Sequence, residues 1–295
     1  MVVKVDQPED IIRIAQECYL KGTDFRRVSD SSEMGGFYDN QTKLSGVKRL
    51  VESGRKLKIG DIAGGSGRQG DSIRRSLGSK ADSVEIDVFD INMKAMGEVT
   101  GQNRIVSETM HLKAADGTYD MIFMNNVPVP LSSVGRYVTH IKEVGDGRDQ
   151  VLEMLNLAVD SIVKLNLLEA VRALKDDGAI VLGVNYEESR KSSDGTEPRR
   201  KLLTRESLEK IVDDLPLKVE KFEIKKYDEK LVPLWRNYGA DMGKPEFVHA
   251  VLRKTGSDIS ELVAMQEQVL DFALRQLIRI EGFEDVMGEM KKAKN

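Results

Sequence analysis

The chain has 295 residues, 40% of them hydrophobic, enough to bury a full core in one large domain. Charged residues make up 32%, with 45 basic against 49 acidic and a net charge of −4, so overall charge gives no case for nucleic-acid binding. No stretch approaches the roughly 18 apolar residues of a membrane helix, and the single cysteine, Cys18, excludes an intrachain disulfide and a thiolate-rich zinc site. The start, "MVVKVDQPEDIIR", lacks the pattern of a secretory signal, and a cytoplasmic protein without membrane attachment is expected. His111, His140 and His249 are scattered with no i,i+4 pair, so no metal site is expected either.

The chain begins with helical spacing. Asp6 and Glu9 form a capping box, and Ile11, Ile12, Ala15, Cys18 and Tyr19 repeat on one face. "DSSEMGGFYDNQTKL" then reads as a polar, glycine-containing linker, so residues 1–56 form an N-terminal helical cap and linker. From residue 57 short Val- and Ile-rich strands alternate with helices. The strands are "LKIGDI", "VEIDVF", "RIVS", "DMIFMN" and "AIVLGVN"; the helices are "DSIRRSL", "INMKAMGEV" and an apolar stretch from about Val151 to Leu174. That alternation predicts an α/β fold, a mostly parallel sheet with helices on both faces. Thr204 reads as the N-cap of "RESLEKIVDDL". "LKVEKFEIK" and "FVHAVLR" follow as two strands without a crossover helix between them, which favours a hairpin-like pairing. Residues 57–255 thus make the main domain, and 256–295 an amphipathic helical extension with a stripe suited to sheet packing or to a homodimer.

The chemistry begins in "DIAGGSGRQG", where a strand passes through glycines into a helix N-terminus. One register gives Gly65-Ser66-Gly67-Arg68-Gln69-Gly70, a G-x-G-x-x-G with Asp90 about twenty residues on, as in a dinucleotide site. The other begins earlier, as Asp61-Ile62-Ala63-Gly64-Gly65-Ser66-Gly67. An acid beneath a doubly negative pyrophosphate is unhelpful, whereas it suits a ligand with a positive amino group and sulfonium. In that register Gly70 is a coincidence.

The second register resembles the first motif of the class I S-adenosylmethionine-dependent methyltransferases, with Ala63 in place of the first glycine and Gly65 and Gly67 retained. The likeness continues in order through "VEIDVFDIN", "SETMHLKAADGTYDMIFMNN" and "LLEAVRALKDDGAIVLGVN", spanning about residues 58 to 185. It implies a Rossmann-like, mostly parallel seven-stranded sheet ending in an antiparallel hairpin. It also implies S-adenosylmethionine as cofactor, held by Asp61, Ala63, Gly65, Gly67 and Asn125. Asp90 would bridge the ribose hydroxyls and Ile91 would pack on adenine. Glu108, or the backbone around Thr109, would read the adenine amino group. Asp87 is the rival to Asp90.

Methyl transfer from a sulfonium is an in-line displacement that needs positioning more than an obligatory catalytic group. Candidates near the transferred methyl are Asn125 and Asn126, at the end of "DMIFMNN", and Tyr38, which would either shield the sulfonium or pack in the core. Asn125-Asn126-Val127-Pro128 lacks the Asn-Pro-Pro-aromatic signature of the family's amide and amine methylators. The acceptor is expected to be a small molecule, then a protein, with nucleic acid disfavoured. A nicotinamide-dependent oxidoreductase and a non-catalytic partner subunit of the same fold stand as the rival readings.

Overall fold

A computed structural model describes residues 32–91, 95–99, 101–107, 109, 111–125, 161, 163–186, 204–227, 246–256 and 259–278. Its centre is a seven-stranded sheet: β1 (Leu57–Ile62), β2 (Val84–Asp90), β3 (Asn103–Val106), β4 (Tyr119–Asn125), β5 (Leu174–Tyr186), β6 (Leu217–Lys226) and β7 (Glu246–Lys254). Their spatial order is β3-β2-β1-β4-β5-β7-β6. The first five pair in parallel, with Ile59 opposite both Ile86 and Met121; β7 runs antiparallel between β5 and β6.

Alternation along the strands sends side chains to two helical layers. Ile59, Ile86, Val88, Phe123 and Val181 pack with Val47 and Val51 of α2 (Val47–Glu52) and with Ile73 and Leu77 of α3 (Arg68–Leu77). On the other face Ile62, Phe89, Ile122, Met124 and Leu182 meet helix α4 (163–173), α5 (Arg205–Val212) and Leu262 of α6 (Ile259–Ile278). Thr204 caps α5 as its sequence predicts, accepting from the Ser207 amide at 3.1 Å.

Three elements differ from the sequence reading. "DSSEMGGFYDNQTKL" is largely helical, as α1 (Ser32–Ser45). Two adjacent glycines each cost about 1 kcal/mol in a helix, but α1 is held by what it buries. Phe37 is fully buried, its ring 4.9 Å from Phe247 and 5.1 Å from His249. Gln41 donates to the Leu182 carbonyl at 3.0 Å. β5 also starts earlier than "AIVLGVN": Leu174 already pairs with Tyr119, and a register shift follows before Ala179 rejoins the ladder opposite Met121. In "INMKAMGEV", where a helix is expected, the described residues hold a 3₁₀ turn at Ala95–Glu98.

Candidate functional site

Parallel strands present their carboxyl ends on one edge of the sheet, and the candidate residues Asp61, Asp90 and Asn125 lie at those ends. β1 ends in the loop Ala63–Gly67, which turns into α3. Ala63, Gly65 and Gly67 all have positive φ, at 55°, 52° and 78°. Glycine suits that conformation; Ala63 adopts it at a steric cost of roughly 1 kcal/mol. Gly64 is required for a different reason. A Cβ there would lie 2.6 Å from Asp61 Oδ2 and 2.8 Å from Val88, so only a glycine lets the loop close over the Asp61 carboxylate.

Asp61 is consequently buried, and neither carboxylate oxygen has a hydrogen-bond partner among the described residues. Burial pushes its carboxyl up to about 8, helped by the negative charges of Asp90 and Asp71. Asp90, the last residue of β2, is differently placed: its Oδ2 accepts from the Gly65 amide at 3.0 Å. The two carboxylates therefore bracket the loop, one beneath it and one clasping it.

Asp87 lies three residues before Asp90 and faces the other side of the sheet. Its oxygens accept from Tyr119 Oη at 2.7 Å and Asn103 Nδ2 at 2.6 Å, and Lys58 pairs with it at 3.4 Å. It is a structural acid, held by partners on β4, β3 and β1.

Beyond β2, Ile91 is half-buried in a bend. The Ser107 amide donates to the Asp90 carbonyl at 3.2 Å and so ties the end of β3 to the end of β2. Thr109 sits half-buried in the turn that follows. That turn is pinned from α4: the Leu112 amide donates to Glu169 at 2.7 Å, and Arg172 donates to the Leu112 and Ala114 carbonyls. His111 is exposed. Glu108 and Asn126 lie outside the described residues, as do Cys18, His140 and residues 187–203.

Asn125 ends β4, buried, with Nδ2 donating to Gln69 of α3 at 3.2 Å. Gln69 in turn donates to the Tyr38 carbonyl of α1 at 3.4 Å. Tyr38's half-buried ring meets Phe37 edge-on at 5.4 Å. Asn125 and Tyr38 are thus joined through Gln69 of α3, the helix that the Ala63–Gly67 loop enters.

Sequence reasoning passed over several residues around this site. Gln69 joins three elements, and Gly70 makes room for Gln102, which donates to the Gly67 carbonyl at 3.2 Å. Gly70 is therefore a packing position. His249, opposite Gly183 on β7, is buried with Nε2 2.7 Å from Tyr227 Oη; burial lowers it to about 4, so it is neutral. No cluster of three or more His, Cys, Asp or Glu able to hold a metal occurs among the described residues. No described helix is long and apolar enough to cross a membrane.

Five parallel strands with one reversed strand inserted near the edge decide the architecture. The fold is Rossmann-like. No family model matches the chain, and no curated protein matches it. Among solved structures it is similar to the Burkholderia thailandensis 1,6-didemethyltoxoflavin N1-methyltransferase with bound 1,6-didemethyltoxoflavin and S-adenosylhomocysteine. That match has 10% identity and a TM-score of 0.48, covering 87% of this chain and 94% of the other. It is also similar to a Methanosarcina mazei S-adenosylmethionine-dependent methyltransferase, with 13% identity and a TM-score of 0.42, covering 69% and 94%. A third similar structure is the [4+2]-cyclase SpnF, with 11% identity and a TM-score of 0.49, covering 74% and 81%.

Proposed function

We propose that this chain is an S-adenosylmethionine-dependent methyltransferase acting on a small-molecule acceptor in preference to a protein. The observation that carries the reading is Asp61: a buried carboxyl under the glycine loop, both oxygens free of hydrogen-bond partners among the described residues, beside a second carboxylate on Asp90. A cationic amino group answers such a pair; a pyrophosphate adds more negative charge to it. The residues fit the cofactor in its other parts too. The N-terminus of α3 has no side-chain cap, leaving first-turn amides for a carboxylate. Asp90 Oδ2 accepts from the Gly65 amide, which sets a carboxylate at the end of β2 beside the loop, where ribose hydroxyls would meet it. Ile91, Thr109 and Glu108 would flank the adenine.

Bound there, the cofactor supplies a sulfonium methyl for in-line transfer. The chain's own contribution is orientation and exclusion of water, and the described site holds no group that has to act as a base. Tyr38 and the end of β4 at Asn125 would lie between the cofactor and the acceptor. We further propose that residues 57–255 form the catalytic domain in a cytoplasmic protein. The exposed Val263 and Phe272 of α6, in the 256–295 extension, suit a homodimer that sedimentation will test.

Isothermal titration with S-adenosylmethionine, S-adenosylhomocysteine, NAD and NADP tests the cofactor. Binding of the first two, lost in Asp90→Ala, supports the proposal. Binding of a nicotinamide nucleotide alone overturns it in favour of an oxidoreductase. Binding of none points to a non-catalytic partner subunit.

A further inference from the structure

Asn125 Oδ1 is buried and has no hydrogen-bond partner among the described residues, although its own Nδ2 is satisfied. The question is what holds the amide in that sense rather than flipped. The answer lies in a chain of side chains running out to the surface. Asp39 on α1 is ion-paired with Arg75 at 3.1 Å, and a carboxylate only accepts. Ser72 gives its single hydroxyl proton to Asp39, at 2.7 Å. In the 2.9 Å contact between Thr42 and Ser72 the donor is then Thr42. Thr42's oxygen lone pairs remain, and Gln69 Nε2 donates to them at 2.9 Å. The Tyr38 carbonyl, which can only accept, lies on the same side of Gln69 and fixes its sense independently. Gln69 Oε1 therefore faces Asn125, takes its Nδ2 proton, and leaves Asn125 Oδ1 as an acceptor.

The relay has one polarity from end to end: Asn125 to Gln69 to Thr42 to Ser72 to Asp39. Gly183 supplies the space for its inner end, since a Cβ there would stand 2.6 Å from Asn125 Oδ1. Asp61 and Asn125 lie on the same face of the neighbouring strands β1 and β4, two residues apart in register, because Asp61 is opposite Phe123. On this face Asp61, once ionised by a cationic ligand, offers two oxygens and Asn125 one, all unpartnered among the described residues; Gln41 Oε1 and Gln102 Oε1, on side chains that reach Gly183 and Gly70, are unpartnered there too. An ammonium group carries three N–H donors.

We propose that Gln69 and Thr42 are positioning residues whose relay fixes Asn125 Oδ1 as an acceptor for the cofactor's α-ammonium, alongside Asp61. This rests on the cofactor assignment above. It assigns a specific ligand atom to Asn125 and a function to two polar residues, Thr42 of α1 and Gln69 of α3, that no motif marks.

The test compares S-adenosylhomocysteine with its analogue lacking the amino group, by isothermal titration of the full chain. The wild type should prefer the amino ligand by about tenfold or more, the usual worth of hydrogen bonds to a charged group. Thr42→Val and Gln69→Leu should narrow that preference several-fold by weakening the amino ligand alone, while the part that Asp61 supplies remains. Thr42→Ser, which restores the hydroxyl, should recover the preference, a recovery that a packing role for the Thr42 methyl does not give. Thermal melts confirm that each variant is folded. An unchanged preference in Thr42→Val and Gln69→Leu overturns the relay, as does a wild type that binds both ligands equally. A wild type that binds neither ligand overturns the cofactor assignment itself, a distinct result.

Discussion

Replacing Asp61 by Asn should change how the stability of the protein depends on pH. Burial raises the Asp61 carboxyl from 3.8 to about 8. Between those values the folded protein keeps a proton that the unfolded chain has released. The unfolded state then binds fewer protons, so stability falls as pH rises, by about 1.36 kcal/mol per pH unit for this one group. From pH 5 to pH 8 the loss comes to about 4 kcal/mol, an upper bound because relaxation around a buried charge reduces it. At about 2–4 °C per kcal/mol for a domain of this size, that is a Tm difference of roughly 8–16 °C. Asp61→Asn has nearly the same shape and cannot ionise, so its melting curves should lack this slope while retaining every other titration. The assay is a series of thermal or urea melts of both proteins between pH 5 and pH 8 without ligand. Curves that stay parallel across that range refute the account of Asp61 as a buried acid kept protonated.

Three further outcomes follow from the same geometry. Binding of S-adenosylhomocysteine near pH 7 should release close to one proton as the ammonium ionises Asp61, measured by titration calorimetry in buffers of different ionisation enthalpy; Asp61→Asn should abolish the release. Ala63→Gly should raise the urea midpoint by the equivalent of about 0.5–1 kcal/mol, because alanine sits there at φ 55°. Arg172→Ala should cost about 3 kcal/mol by breaking its largely buried pairing with Glu169, and hydrogen exchange in the turn around Leu112 and Ala114 should accelerate more than in β2.

What the sequence made legible is what depends on neighbours along the chain. β1, β2 and β4 declare themselves by short runs of branched and aliphatic residues. The glycine loop and its two carboxylates follow from spacing, since Asp61 and Asp90 each sit at or near the end of a strand. What stayed hidden depends on residues far apart. α1 was obscured by Gly35 and Gly36, which lower local helix preference, while the packing of Phe37 against Phe247 and His249 that holds it belongs to a strand more than two hundred residues on. Gln69 and His249 carry no motif; each is defined by partners on other elements. The raised carboxyl of Asp61 was invisible for the same reason. Its sign depends on how closely Gly64 closes over it, which no spacing rule conveys.

The docking of α1 has a consequence for how the protein is made. Its hydrogen bonds reach Leu182 on β5 and Glu223 on β6, separations of 141 and 183 residues. Phe37 packs against β7, which is later still. During vectorial synthesis this helix emerges from the ribosome well before the surface that receives it, and contacts at such separations form slowly. The early strands can pair while Phe37 and Gln41 still face water. Asp39, Thr42 and Tyr38 reach Ser72 and Gln69 only once that helix has settled. A helix translated before the strands that receive it is thus among the last elements of this fold to find its place, and a nascent chain stalled before β7 would carry a glycine loop without the docked helix that completes it.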